Sequence, residues 1–197
     1  MTEVTTQVPI NRAFLAGAHI QNKLHGIIDS MGYSPAITST ITCGIITQAL
    51  SYYPGSYIET GTRFGGSAIV ARAATKTVVT IDPEYHDAFM MVANKVLAVN
   101  DIVKLQTRAK DADIPAYEYT VGFIDGDHSY DEVRNDFDLF HGLGVKCFIF
   151  DDVDLAEVRH AISDIVWLEK AQLAFFSYPT TAVLVLEQNE KHRWGGF

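Results

Sequence analysis

From residue 57 onward the chain alternates short apolar runs with amphipathic stretches, and most of the apolar runs end in an acid. The runs at 57–59, 77–81, 102–105, 121–124 and 145–150 read as strands, each short and closed by turn-forming or polar residues. Continuous apolar runs of this length suit strands covered on both faces, as in a parallel sheet. Helical spacing fills the gaps between them. A helix is expected over 66–75, after a glycine-rich turn. A second opens at Asp82-Pro83, because proline fits the first helical position, and turns Phe89, Val92, Val96 and Leu97 inward. A third carries Val133, Phe137 and Phe140 behind a capping box of Ser129 and Glu132, and a fourth covers 155–170.

The last two apolar runs, 173–178 and 182–186, lie too close together for a helix to join them, so they must pair antiparallel. Five β-α units followed by a hairpin give an α/β chain: a doubly wound, mostly parallel seven-stranded sheet with an antiparallel C-terminal hairpin. Ahead of it, 12–31 places Ile20, Leu24, Ile27, Ile28 and Met31 at helical spacing, and 38–53 does the same with Ile41, Ile45, Ile46, Ala49 and Leu50. Pro54-Gly55 ends that region. The chain therefore divides into an N-terminal helical segment, 1–54, and an α/β domain, 55–197. The apolar stripes of the segment are too extensive to leave in water, so it packs on the domain as a lid or on a second copy in a homo-oligomer.

Charge narrows the partners. A net charge of −9 with no basic cluster argues against nucleic acid, whose phosphates need lysine and arginine. Lys191-His192-Arg193 is too short to reverse this, and a small neutral or cationic substrate fits better. No run approaches the roughly eighteen apolar residues of a membrane span. Residues 1–11 are polar and lack the basic-then-apolar pattern of a secretory signal. Cys43 and Cys147, in apolar surroundings, read as reduced core residues of a cytoplasmic protein.

In doubly wound sheets ligands bind at the carboxyl ends of the strands, and these ends carry the informative residues. The first reads Glu59-Thr60-Gly61-Thr62-Arg63-Phe64-Gly65-Gly66-Ser67. Its glycines admit close approach of a ligand, and the following helix offers unpaired N–H groups. Arg63 stands where a pyrophosphate fingerprint needs its second glycine, so the turn suits a ligand with a carboxylate and an amine better than a dinucleotide. The plainer alternative is a tight turn. Asp82, at the next strand end, can accept from both hydroxyls of a ribose or simply cap a helix. Asp111, in Lys110-Asp111-Ala112-Asp113, can reach an adenine amino group.

The densest cluster is Asp125-Gly126-Asp127-His128-Ser129-Tyr130, facing Asp151-Asp152 at the next strand end. Several carboxylates on one rim repel unless a cation or protons intervene, and oxygen donors suit magnesium, calcium or manganese. Capping by Asp127 or Ser129, and by Asp154 with Glu157, accounts for some of these residues but not all. His128 is the one histidine in the cluster, and an imidazole of ordinary pKa can take a proton from a hydroxyl. No nucleophile elbow, CxxC pair or Walker lysine is present.

Four strings in order, Y-I-E-T-G-T-R-F-G-G-S, V-V-T-I-D-P, F-I-D-G-D-H-S-Y-D-E-V and F-I-F-D-D-V, make the chain from about residue 56 to 186 resemble the class I S-adenosylmethionine-dependent methyltransferases. More narrowly, it resembles the metal-dependent small-molecule O-methyltransferases of the macrocin, antibiotic-sugar type. The resemblance implies that Glu59 and Gly61 line the methionine part of S-adenosylmethionine and that Asp82 holds its ribose. Thr60, Arg63, Gly65, Ser67, Asp111 and Asp125 are further candidate contacts. It also implies magnesium, or another divalent cation, on Asp125, Asp151 and Asp152, with His128 or Asp127 as base and a small-molecule hydroxyl as acceptor. Two departures are plain. Gly142-Leu143-Gly144 precedes the fifth strand without the usual proline, and the substrate-recognition insertions of larger relatives are missing. A metal-independent methyltransferase and a catalytically inactive binding protein on the same fold are the alternatives.

Overall fold

The computed structural model of the chain describes residues 10–30, 38–83, 98, 100–169, 172–177 and 180–186. Seven strands form one sheet: β1 (Ser56–Thr60), β2 (Val78–Ile81), β3 (Val103–Leu105), β4 (Tyr119–Ile124), β5 (Cys147–Phe150), β6 (Gln172–Ser177) and β7 (Thr180–Val185). Their order is β3-β2-β1-β4-β5-β7-β6. The first five run parallel, and β7 pairs antiparallel with both β5 and β6. The expected doubly wound sheet with its terminal hairpin is therefore present.

Register fixes where the site must lie. Thr60 pairs with Ile81 on one side and with Ile124 on the other, and Ile124 pairs with Phe150. The residues that follow these four, Gly61, Asp82, Asp125 and Asp151, consequently emerge on one rim. The order reverses between β1 and β4, which is where such sheets bind ligands.

Helices cover both faces: α1 (Arg12–Ser30), α2 (Thr40–Tyr52), α3 (Gly66–Ala74), α4 (Tyr130–Gly142) and α5 (Ala156–Glu169). Alternation along a strand divides the core in two. Cys147 and Ile149 join Ile45, Ile46, Ala49 and Leu50 of α2 in one cluster, whereas Phe148 and Phe150 join Phe137, Phe140, Val158 and Ile162 of α4 and α5 in the other. Helix α2 is buried from Thr42 to Leu50 and so forms part of the layer covering the sheet. Both cysteines are buried and unpaired. Among the described residues, no helix is long and apolar enough to cross a membrane.

Two expectations need correction. The connection from β3 to β4 contains a single 3-10 turn, Ala109–Asp111, so the third β-α unit has no α-helix. Apolar residues at helical spacing are absent there, and Pro115 further disfavours a helix. The capping box is not formed either. Ser129 is the N-cap of α4 but its hydroxyl caps nothing. Instead its backbone N–H donates to Asp127 Oδ1 at 2.8 Å, an Asx turn that leads the chain into the helix. The helix expected after Pro83, with Phe89, Val92, Val96 and Leu97, lies outside the described residues.

Candidate active site

Backbone hydrogen bonds continue past the strand ends. Gly61 N donates to Ile81 O at 3.0 Å, Asp82 N to Leu105 O at 3.1 Å, Asp125 N to Thr60 O at 3.3 Å and Asp151 N to Ile124 O at 3.2 Å. This lattice holds the rim rigidly. Gly61 has φ 87°, and a Cβ there would stand 2.6 Å from the carbonyl carbon of Asp125 and closer still to its oxygen. Only glycine lets the ends of β1 and β4 come this near.

A cavity of about 460 Å3 opens over the rim, within the span of roughly 300–1,000 Å3 usual for small-molecule sites. Thr60, Gly61, Arg63 and Asp82 line one part of it. Arg63 takes a left-handed φ of 42° and its N–H donates to Asp82 Oδ2 at 3.0 Å, so the turn after β1 wraps around the acid at the end of β2. Gly65, at φ 76°, starts α3. Glu59, Gly65 and Ser67 do not line the cavity. Glu59 is wholly buried and its Oε2 accepts from the Tyr57 hydroxyl at 2.7 Å. Burial pushes its carboxyl up to about 7, against the pull of the Tyr57, Ser67 and Thr80 hydroxyls. Asp111 is exposed and also outside the cavity, which the 3-10 turn reaches through Arg108 and Ala109.

Asp125, Asp127, His128 and Asp152 form the other part. His128 Nε2 lies 3.2 Å from Asp152 Oδ2 and 3.8 Å from Asp125 Oδ1. The Asp125 carboxylate, with Asp152 beside it, raises the imidazole pKa, while burial opposes it. Burial raises the Asp125 carboxyl, and contact with His128 partly offsets this. Asp127 is held below the usual range by the Ser129 N–H and remains a carboxylate. Asp152 sits at φ 51°, so two of the chain's three left-handed non-glycine residues among those described, Arg63 and Asp152, line this cavity. Such strain, on the order of 1–3 kcal/mol per residue, concentrates at functional sites.

One ligand atom each from Asp125, His128 and Asp152 lies within 4.8 Å of the others, close enough for one cation. Asp151 stands beside this group rather than in it. Its Oδ1 accepts from Thr181 Oγ1 at 3.1 Å. Burial, with the Asp125 and Asp152 carboxylates, pushes it up to about 7.

Sequence reading missed Asp136, Arg108 and Glu132, which also line the cavity. Asp136 was legible in principle. It falls within the buried stripe of α4, between Val133 and Phe140, where an acid has no reason to sit unless it faces something polar. It is 4% exposed, and burial pushes it up to about 6 despite the Thr60 hydroxyl beside it.

No family model matches the chain, and no curated protein matches it. Solved structures do. An O-methyltransferase of tomaymycin synthesis from Streptomyces achromogenes, in complex with S-adenosylmethionine, is 18% identical over 91% of this chain and 92% of its own, with a TM-score of 0.63. An O-methyltransferase from Bacillus cereus, in complex with S-adenosylhomocysteine, is 13% identical over 85% and 90%, with a TM-score of 0.61. A methyltransferase from Podospora anserina, also bound to S-adenosylhomocysteine, is 12% identical over 94% and 91%, with a TM-score of 0.60. At such identities the likeness speaks for architecture: the chain has the Rossmann-like fold of the class I S-adenosylmethionine-dependent O-methyltransferases.

Proposed function

We propose that the chain is an S-adenosylmethionine-dependent methyltransferase that methylates the hydroxyl of a small molecule with the help of a divalent cation. The observation that carries this reading is a juxtaposition on one rim. The Gly61–Arg63 turn that clasps Asp82 opens into the same cavity as the Asp125, His128 and Asp152 cluster. The cofactor complexes of three structures with this fold lend support. The net charge of −9 favours a small acceptor over a polyanion.

When bound, S-adenosylmethionine supplies an electrophilic methyl, and a divalent cation supplies positive charge that lowers the pKa of an acceptor hydroxyl. The donors present fit both. Asp82 offers a carboxylate for a ribose, its Oδ2 already fixed by Arg63 N–H. Asp125, Asp151 and Asp152 offer oxygens of the kind magnesium or manganese prefers. Asp125 and Asp152 raise the pKa of His128. With the charge of those carboxylates taken up, its ring nitrogen becomes a base near neutral pH and removes the acceptor's proton. Asp127, ionised and at the mouth, is the second candidate for that role. The residues otherwise supply position, since the rim is braced by the strand-end hydrogen bonds.

A metal-independent reading has one observation in its favour. The His128 ion pairs already relieve part of the repulsion between Asp125 and Asp152 without a cation. Titration calorimetry with S-adenosylmethionine, with and without magnesium, tests the two together. Binding that magnesium strengthens supports the proposal. Binding indifferent to magnesium and EDTA favours the metal-independent form, and no binding at all rejects both.

A further inference from the structure

Asp151 is one residue from Asp152 at the end of β5, and its Oδ1 engages β7. The contact continues beyond the pair. Thr181 Oγ1, which donates to Asp151 Oδ1 at 3.1 Å, lies 2.8 Å from Thr42 Oγ1 in the first turn of α2. Thr42 Oγ1 lies 2.9 Å from Ser39 Oγ, the N-cap of that helix. Ser39 Oγ also accepts the Thr42 N–H at 3.0 Å, which anchors the series to the start of α2. Thr42 and Thr181 are 0% exposed, so bulk water does not compete for these hydroxyls.

A hydroxyl has one proton to give. Thr181 gives its proton to Asp151 Oδ1 and so must receive one from Thr42. Thr42 in turn must receive from Ser39. Every hydrogen bond then points towards Asp151, and bonds aligned this way strengthen one another in a low-dielectric interior.

We propose that Ser39, Thr42 and Thr181 form a one-way hydroxyl relay by which α2 orients Asp151 as an oxygen donor beside Asp152, making that helix part of the cation site. The inference rests on the reading of Asp151 as a cation ligand under Proposed function. Ser39, Thr42 and Thr181 are positioning residues, since they act through Asp151. Groups that act in this way on metal ligands typically alter affinity 10- to 100-fold.

The test uses the full chain and Mn2+ as probe, with free Mn2+ read by electron paramagnetic resonance and folding checked by circular dichroism melting. Thr181→Val, which keeps the shape and removes the hydroxyl, should weaken Mn2+ binding by about tenfold or more. Thr181→Ser should retain wild-type affinity, because it keeps the donor. Thr42→Val, one step further out and independent of any fault at position 181, should weaken binding by a smaller factor. Unchanged Mn2+ affinity in folded Thr181→Val or Thr42→Val overturns the relay and leaves the cation reading standing. A Thr181→Ser protein as weak as Thr181→Val also overturns it, since packing and not the hydroxyl would then be responsible. Failure of the unaltered chain to bind Mn2+ overturns the cation reading and the relay with it.

Discussion

Gly61→Ala is the substitution for which the structure makes the largest and most local demand. The residue has φ 87°, and an added Cβ would meet the Asp125 carbonyl, its carbon at 2.6 Å. Holding an L-residue in that left-handed conformation costs roughly 1–2 kcal/mol. The neighbour is backbone at a paired strand end, so it yields only by shifting β4 against β1, an overpacking cost of about 1–3 kcal/mol. Together these give about 2–5 kcal/mol. In a domain of this size each kcal/mol lowers Tm by roughly 2–4 °C, so a fall of roughly 4–20 °C is expected. Gly142→Ala is the matched control, because a Cβ there meets nothing within 4 Å and its φ is not left-handed. At the end of α4 it should be neutral or slightly stabilising. Thermal melts by circular dichroism compare the two, and calorimetry with S-adenosylhomocysteine should also show weaker binding in Gly61→Ala, because Asp125 is displaced. If the two variants melt together, the close approach of β1 and β4 described here is wrong.

Three further outcomes are expected. Asp82→Ala should weaken S-adenosylhomocysteine binding by about 1–3 kcal/mol, the scale of hydrogen bonds to a charged group, and unchanged calorimetry would remove Asp82 from the site. His128→Ala should slow turnover by roughly 100-fold while cofactor affinity holds, and an undiminished rate would move the base to Asp127. Glu59 and Asp136, raised to about 7 and about 6, bind their protons more tightly folded than unfolded, where carboxyls titrate near 4. The folded state therefore loses stability as pH climbs from about 4 through about 7, and Glu59→Gln and Asp136→Asn should each flatten that fall in Tm. A pH profile identical in both variants would show that neither group carries it.

Architecture was largely legible because a parallel sheet imposes a strong pattern. Cys147-Phe148-Ile149-Phe150 is apolar on both faces, and an observer needs no structure to bury it. Residue types at strand ends were legible for the same reason, since register places whatever follows Thr60, Ile81, Ile124 and Phe150 on one rim. Side-chain direction was not. Glu59 lies two residues from Tyr57 on β1 and so shares its face, on the α2 side, instead of entering the cavity. Ser129 and Glu132 had capping-box spacing, but Asp127 reached the Ser129 N–H first. Asp136 was marked by its place in the apolar stripe of α4, but what it faces, Thr60 and Gly126, is a tertiary fact that the stripe does not encode.

The position of β7 between β5 and β6 has a consequence for how the molecule is made. A nascent chain emerges in sequence order, so the free edge of β5 is completed before its partner exists. That edge waits through the synthesis of α5 and β6, then is closed by a strand arriving antiparallel from beyond them. An apolar strand with an open edge is an aggregation hazard for as long as it waits. Thr181, on the late-arriving strand, is also the residue that joins Asp151 to Thr42, made 139 positions earlier. Sealing the sheet and connecting α2 to the acidic rim are thus a single event, and one that cannot occur until β7 has left the ribosome.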